Sequence, residues 1–394
     1  MIPYGKQNIT EEDIHAVITT LKSNYLTQGP AILDFEKAFA KYVGSKFAVA
    51  VANGTAALHL CALALNVQPG EKVITTPITF AASANCIRYC GGDVVFADID
   101  PDTYLLDIKK VEELLEASPK GTYSGIIPVD FAGRACNLQN FHALAKEHGL
   151  WIIEDACHAP GGFFRDVNGN KQVCGSGQFS DLAIFSFHPV KHIACGEGGM
   201  VTTNDEELYK QLLRLRSHGI TKGDDEYTNS LDFANGIPGE DTYPGWYMEM
   251  QQLGFNYRLT DFQAALGSSQ LSRANEGLEK RKLIARKYNT AFIDMDYIIG
   301  HSGFHDGHAY HLYVIEVEDR LGLYNYLKKE GILAQIHYIP CHLMPYYRGL
   351  GWKEGDMPVA ETYYKHCISL PIYPTLTFDE QQLVIDKVNA YYHG

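Results

Sequence analysis

Short apolar blocks recur along the first half of the chain. Compact apolar or β-branched runs occupy residues 47–51, 72–76, 93–97, 125–130, 151–155, 181–186 and 200–203, and stretches with helical spacing, such as 55–65 and 138–148, separate most of them. Runs that stay apolar instead of alternating belong to strands covered on both faces, and strands alternating with helices imply parallel pairing. The pattern predicts an α/β fold with a mostly parallel seven-stranded sheet flanked by helices. Ahead of it, Thr10 followed by Glu11, Glu12 and Asp13 predicts a helix start whose acidic groups oppose the positive end of the helix dipole. The loop Tyr25-Leu26-Thr27-Gln28-Gly29-Pro30 then leads into a second helix over about 31–43.

The rhythm breaks at 221–250, where charges, aromatic residues, Gly236, Pro238, Gly239 and Pro244 predict a long loop, either functional or disordered. Residues 257–291 read as one long helical region, in which the run Glu279-Lys280-Arg281-Lys282 predicts a solvated face. Beyond it, strand runs at 311–317 and 333–337 alternate with helices at 319–330 and 379–392, the pattern of a smaller α+β domain. The chain thus divides into a large domain with an N-terminal segment, 1–255, and a long helix with a small C-terminal domain, 256–394.

A hydrophobic fraction of 46% and a charged fraction of 20% are those of a soluble globular protein. A net charge of -14, with an isoelectric point near 5.6, argues against nucleic-acid or anionic-membrane partners. The nine cysteines are scattered without a C-x-x-C pair, which fits a reducing cytoplasm and neither a disulfide framework nor a zinc ribbon. The N-terminus lacks a leader pattern, and the apolar run 47–65 is interrupted by Asn53-Gly54-Thr55 and His59, as strand, turn and helix rather than a membrane span.

Candidate chemistry centres on Ile184 to Met200. Pro189 ends a buried strand, glycines at 196, 198 and 199 permit a sharp return, and Lys191 sits between. A desolvated amine there loses its proton readily and forms Schiff bases; the alternative is a solvated loop lysine. Asn53-Gly54-Thr55-Ala56-Ala57, at a strand-to-helix junction, offers free N–H groups to a phosphate, or is an ordinary turn with Thr55 as cap. It is neither a dinucleotide fingerprint nor a P-loop. In Trp151-Ile152-Ile153-Glu154-Asp155-Ala156-Cys157-His158, Asp155 at a strand's carboxyl end could face a cationic ring nitrogen, or serve as metal ligand or helix cap. With Ser186 as a hydroxyl donor and Phe80 as a stacking platform, these are the parts that pyridoxal phosphate requires. His188 and His192 have a zinc-helix spacing but lack its glutamate and flank Pro189. His301, His305, His308 and His311 predict surface histidines in a glycine-containing loop, and no metal site is expected.

The words LTQGP (26–30), NGTAAL (53–58), TTPITF (75–80), EDACHA (154–159), FSFHPVK (185–191), GEGG (196–199), RSHG (216–219) and GFNYRLTDFQAALG (254–267) carry a resemblance over nearly the whole length. The chain resembles the DegT-type nucleotide-sugar aminotransferases of the fold-type I superfamily. TTPITFAASAN, VDFAG, FSFHPVK and ILAQIHYIP look most like the 4-aminotransferases of the pseudaminic acid pathway. The resemblance implies that Lys191 binds pyridoxal 5'-phosphate covalently, with pyridoxamine phosphate as intermediate. Asp155 would pair with the ring nitrogen, Phe80 would stack on the ring, and Gly54, Thr55, Ala56 and Ser186 would hold the phosphate. His158 stands where many relatives have glutamine at the cofactor. Asn256 implies a homodimer with shared sites, since relatives supply that asparagine from the neighbouring subunit. Contacts to a UDP-sugar would fall on Tyr4, Asn24, Tyr25, Leu26, Thr27, His218, Arg258, Ile336, His337, Tyr338 and Ile339. The implied reaction moves an amino group from an amino acid, glutamate by family habit, to C4 of a UDP-linked 4-keto-6-deoxy-N-acetylhexosamine. Rival readings are another keto sugar on UDP or dTDP, a sugar dehydratase with histidine in place of the lysine, a non-catalytic regulator, and a zinc hydrolase.

Overall fold

Successive residues of the central strands enter two different cores, which is how a sheet comes to be covered on both faces. Val49, Ile184 and Val201 join one apolar cluster, while Ala48, Ala50, Phe185 and Met200 join another with Phe35 and Phe39. The computed structural model describes residues 1–223 and 226–393. Its seven-stranded sheet comprises β1 (Phe47–Val51), β2 (Lys72–Thr75), β3 (Asp93–Phe96), β4 (Tyr123–Ile127), β5 (Trp151–Asp155), β6 (Leu182–Ser186) and β7 (Gly199–Thr203), in the spatial order β1-β7-β6-β5-β4-β2-β3. All seven overlap the apolar runs, β4 starting two residues before its run and ending three residues short of it. Strands β6, β5, β4, β2 and β3 are mutually parallel, whereas β7 runs antiparallel to β6 and β1. Residues 187–198 contain no helix, so the chain turns back beside β6 instead of crossing over the sheet.

Helices α1 (Glu11–Leu21), α2 (Pro30–Val43) and α3 (Gly54–Ala64) start close to their expected positions. The cap of α3 is Asn53, not Thr55, because the Asn53 side chain accepts the Ala56 N–H at 2.8 Å. Helix α4 (Ala82–Tyr89) follows β2, and α5 (Glu206–Arg216) follows β7. A buried ion pair links three of these elements: Arg216 Nη1 on α5 donates to Glu36 Oε1 on α2 at 2.6 Å, and the Ala50 N–H of β1 donates to the same oxygen at 2.8 Å. Glu36 is buried and the Arg216 side chain nearly so.

The second half departs from expectation in four places. Residues 257–291 do not form one helix. Tyr257–Thr260 is extended, held by bridges from Val51 to Arg258 and from Thr27 to Thr260. Thr260 and Gln263 then form a capping box for α6 (Asp261–Ser272), and non-helical backbone at Arg273 separates it from α7 (Ala274–Phe292). The basic run is not a solvated face throughout. Arg281 lies on the same stripe as Ile284, Ala285, Tyr288 and Phe292 and is only 1% exposed; its Nη1 donates to the carbonyls of Ile372 (3.0 Å), Tyr310 (3.2 Å) and His311 (3.4 Å). The 333–337 strand shrinks to Ile332–Leu333, paired with Ile2–Pro3, because Gln335 makes only a single bridge to Ser369 before the chain turns. His308 and His311 are buried rather than on the surface, the first stacked on Tyr310 at 4.0 Å and the second against His158 at 4.3 Å, in the segment between β8 (Ile298–His301) and β9 (Tyr313–Val317), which form an antiparallel sheet with β10 (Cys367–Leu370).

The expected 221–250 loop is ordered around one carboxylate. Glu249 accepts from Thr228 N, Thr228 Oγ1, Asn229 N, Tyr247 Oη and Gln251 Nε2, and the first two of these bonds are 2.8 and 2.9 Å long. Positions 224 and 225 of that loop lie outside the described residues. Among the described residues, no helix is long and apolar enough to cross a membrane, and all nine cysteines are free.

Candidate active site

The carboxyl ends of β1, β5 and β6 open on one cavity of about 520 Å³, the place where open α/β sheets hold their ligands. Its lining includes Tyr4, Gly54, Thr55, Phe80, Asp155, His158, Ser186, Lys191, His337 and Tyr338. Ten residues drawn from six parts of the sequence thus meet as expected.

One end of the cavity suits a phosphate. Helix α3 begins there, and the first-turn N–H groups of Gly54 and Thr55 have no intrahelical partner. Ala56 does not line the cavity, since its N–H is committed to Asn53. A Cβ on Gly54 would stand 3.0 Å from Ser186 Cβ, so only glycine lets backbone and hydroxyl approach one anion together. Gly199 supports this junction from below: a Cβ there would lie 2.6 Å from Asn53 O and 3.0 Å from Gly54 N. Gly199→Ala is therefore expected to push the 53–55 backbone out of place and to weaken cofactor affinity roughly tenfold or more, about the worth of one charge-assisted hydrogen bond, as measured by fluorescence titration of the apoenzyme.

The opposite requirement, a fixed negative charge, is met by Asp155. It is 5% exposed and oriented by two donors, Ser83 Oγ to Oδ2 at 2.7 Å and Cys157 N–H to Oδ1 at 3.2 Å. Ser83 is in turn bonded to Thr79 Oγ1 at 2.7 Å. Neither hydroxyl was singled out from sequence; their i, i+4 spacing after the TTPITF word was the available signal. These bonds account for Asp155 without a metal or a helix cap. Phe80 leaves its ring 63% exposed at the cavity, free to lie against a planar ligand.

Lys191 is partly buried at the same cavity. Loss of hydration holds its ammonium below the ordinary range, against the opposing pull of Cys157 and Asp155. This is the environment of a nucleophilic amine and not of a solvated loop lysine. Neutral histidines surround it. His158 accepts the Ala132 N–H on Nδ1 at 3.2 Å, which leaves Nε2 to donate to Tyr338 Oη at 3.3 Å, and its ring packs on His311 at 4.3 Å. Burial, then the charge of Lys191, pushes both imidazoles well below their ordinary pKa, and burial brings His337 down to about 3.

Behind β5 lies a second buried group, Asp130, Glu154 and Cys174, whose ligand-type atoms fall within 4.8 Å of one another. Glu154 accepts the Gly175 N–H on both oxygens and Asp130 accepts the Cys136 N–H at 2.7 Å. Burial raises both carboxyl groups, Asp130 to about 6 and Glu154 well above its ordinary range, so the pair retains a proton. A folded-state pKa above the unfolded one makes the acid form the stable one. Stability contributed here is present below the ordinary carboxyl range near 4 and is lost as pH rises through about 6. Asp130→Asn, whose amide oxygen can still accept the Cys136 N–H, is expected to gain stability relative to the parent over that window, visible as a difference in urea midpoints that moves in the variant's favour between pH 4 and 7.

The remaining expected residues lie elsewhere. Asn24, Tyr25, Leu26, Thr27, His218 and Asn256 are exposed and do not line this cavity, nor do Ile336 and Ile339. His218 and Arg258 instead line a second depression of about 570 Å³ with Lys210, Arg214, Arg216, Lys222 and Glu226, where Lys210, Arg214 and Arg216 are each paired with a carboxylate.

Residues 7–389 match the model of the DegT/DnrJ/EryC1/StrS aminotransferase family. The chain is 39% identical to the spore coat polysaccharide biosynthesis protein SpsC of Bacillus subtilis, over 100% of this chain and 97% of the relative. It is 35% identical to the UDP-4-amino-4,6-dideoxy-N-acetyl-beta-L-altrosamine transaminase of Campylobacter jejuni, over 98% of this chain and 96% of the relative. Its structure resembles Helicobacter pylori PseC, an aminotransferase involved in the biosynthesis of pseudoaminic acid, with a TM-score of 0.86, 31% identity, and coverage of 100% and 99% of the two chains. The PLP form of Spr1654 from Streptococcus pneumoniae gives a TM-score of 0.85 at 27% identity, covering 100% and 98%.

Proposed function

The chain belongs to the DegT/DnrJ/EryC1/StrS aminotransferase family and is a pyridoxal-phosphate-dependent sugar aminotransferase of fold type I; from that premise we propose that its acceptor is the C4 ketone of a UDP-linked 4-keto-6-deoxy-N-acetylhexosamine, with L-glutamate as donor. Its place would be nonulosonic (pseudaminic) acid or related surface-glycan synthesis in the cytoplasm. The observation that carries this reading is the end-to-end match to the Campylobacter transaminase, together with the same fold in PseC. The higher identity to SpsC favours a second reading, another 4-keto or 3-keto sugar on UDP or dTDP.

Pyridoxal phosphate, when bound, supplies an electron sink conjugated to the amine being moved. Gly54 and Thr55 N–H and the Ser186 hydroxyl would hold its phosphate, and Phe80 would cover its ring. Asp155 supplies the fixed charge that keeps a ring nitrogen protonated. Lys191 Nζ, with a proton affinity lowered by burial, would form the covalent link, then accept a proton from the donor's α-carbon and return it. Tyr4, His337 and Tyr338 wall the cavity where the sugar would enter.

We assign Asn24–Thr27, His218, Asn256 and Arg258 to the cavity of a second copy in a homodimer. Support comes from their absence from the cavity of their own chain, from the exposure of all of them but the half-buried Arg258, and from the apolar residues Ile14, Ile18, Leu21 and Leu26 exposed in or near the 24–27 loop. Lys191→Ala and Arg258→Ala are each expected to be inactive alone. Refolded together they should regain part of the activity, whereas two inactive parents giving an inactive mixture would exclude shared sites.

The acceptor is tested by loading the protein with pyridoxamine phosphate and adding purified 4-keto UDP- and dTDP-sugars one at a time. Return of the lysine-bound cofactor absorbance with the UDP-4-keto-6-deoxy-N-acetylhexosamine supports the first reading; return only with other sugars supports the second.

A further inference from the structure

A second, smaller cavity touches Lys191 from among different residues. It measures about 50 Å³ and is lined by Lys6, Lys191, His192, Gln270, Arg273, Gly277, Lys280 and Arg281, among others; Lys191 is the one residue it shares with the large cavity among those described. That volume exceeds the roughly 10–15 Å³ that one water-sized occupant needs.

The charges around it do not balance. Arg273 pairs with Asp13 and Lys280 with Glu276 at 2.6 Å, so those two cations are compensated. Arg281, 1% exposed, meets only three backbone carbonyls, and its buried Nε has no partner; His192 Nδ1 is likewise buried and unpartnered. A desolvated guanidinium without an anion is costly, and burial alone brings Arg281 down to about 10. A carbonyl neutralises no charge, so the carbonyl contacts leave this deficit standing. Acidic side chains do not fill it either, since Glu276 is the one carboxylate in the lining and already binds Lys280.

We propose that this cavity is an anion site, which takes one small monovalent anion, a halide ion or a bare carboxylate, on Arg281 Nε with Lys191 and Lys6 beside it. The size excludes a sugar nucleotide, and the lining shares only Lys191 with the large cavity, which keeps this site distinct from that of the substrate. Its occupant completes the electrostatics of a guanidinium that fastens the backbone at 310–311 and 372 to α7, immediately beneath the lysine.

The holoenzyme is titrated with chloride at constant ionic strength and the chlorine-35 line width is followed. The parent is expected to show saturable broadening that Arg281→Met weakens roughly tenfold or more, as the loss of a buried charged hydrogen bond requires. Because a buried arginine variant can fail to fold, Gly277→Leu provides the second arm. A Cβ at 277 meets only Pro374 Cγ, at 3.5 Å, leucine favours the helix over glycine, and the side chain fills the cavity while Arg281 stays. It too should lose the broadening. Formate that displaces chloride identifies carboxylates as ligands of the same site, and formate without effect restricts it to halides. Bromide-soaked crystals should place an anomalous peak beside Arg281. Broadening that is absent in the parent or unchanged in Gly277→Leu, or ordered water alone beside Arg281, overturns the proposal.

Discussion

Lys191→Ala is expected to abolish the covalent hold on the cofactor and to lower turnover by at least roughly 10²- to 10⁴-fold, the range associated with losing one positioned proton carrier. Both effects have one origin. The amine sits at the mouth of β6, partly buried, with its ammonium form disfavoured by desolvation, so it is available both to form an imine and to exchange protons. The neighbouring His158, His311 and His337 do not duplicate it, since burial holds them neutral and makes them poor proton donors. Borohydride reduction followed by intact mass spectrometry provides a readout separate from rate. The parent should gain the mass of the reduced cofactor and the variant should not. A variant that is both active and cofactor-labelled would contradict the assignment of the amine.

Glu36→Ala is expected to cost about 3–5 kcal/mol of folding stability, because it strands the Arg216 guanidinium in a buried position and removes the acceptor of the Ala50 N–H. Against a total of roughly 5–15 kcal/mol for a typical domain this is a large share. The loss should also reach the active site. Ala50 belongs to β1, whose end leads through Asn53 to the Gly54–Thr55 turn, so a loosened strand displaces the phosphate end of the cavity. Replacing both partners, Glu36→Met with Arg216→Leu, should recover much of the stability, since no uncompensated charge is then left inside. Thermal melting of the three proteins in the same buffer decides the matter. A double variant no more stable than Glu36→Ala would show that the hydrogen bond to Ala50, and not the stranded charge, dominates.

The central sheet could be read from sequence because its strands are buried on both faces and therefore apolar throughout, with little in the pattern to confuse them. The site residues that follow those strands, Gly54, Asp155, Ser186 and Lys191, inherited that clarity: each stands a few positions after an apolar run. Information failed where long-range contacts override local pattern. Arg281 looked solvated beside Lys280 and Lys282, yet its i+3, i+4, i+7 and i+11 neighbours are Ile284, Ala285, Tyr288 and Phe292, and the helical stripe they define includes it. Reading the stripe in place of the charge run would have buried it. His308 and His311 gave no such signal, since burial of His311 depends on residues distant in sequence, His158 and His192. The strand expected at 333–337 fails for a related reason: its partners, Pro3 for Leu333 and Ser369 for Gln335, lie far away in sequence and each captures a single residue of it. Ser83 and Thr79 were overlooked because a hydroxyl pair at a helix start is common and acquires meaning only beside the Asp155 carboxylate.

The segment 187–198 joins β6 and β7, two interior strands of the sheet that are hydrogen-bonded to each other, and its neck is closed by Phe187 N–H to Gly198 O at 2.8 Å and Cys195 N–H to Phe187 O at 3.0 Å. A tether pinned at both ends to the least deformable layer of the molecule leaves its passenger little travel beyond the reach of a lysine side chain. Repositioning during a catalytic cycle must then fall to the molecules that come and go and to the rim around them, with the amine serving as the fixed point from which their approach is measured. Amide protons at that neck should accordingly be among the last to exchange with heavy water, released only when the sheet itself opens.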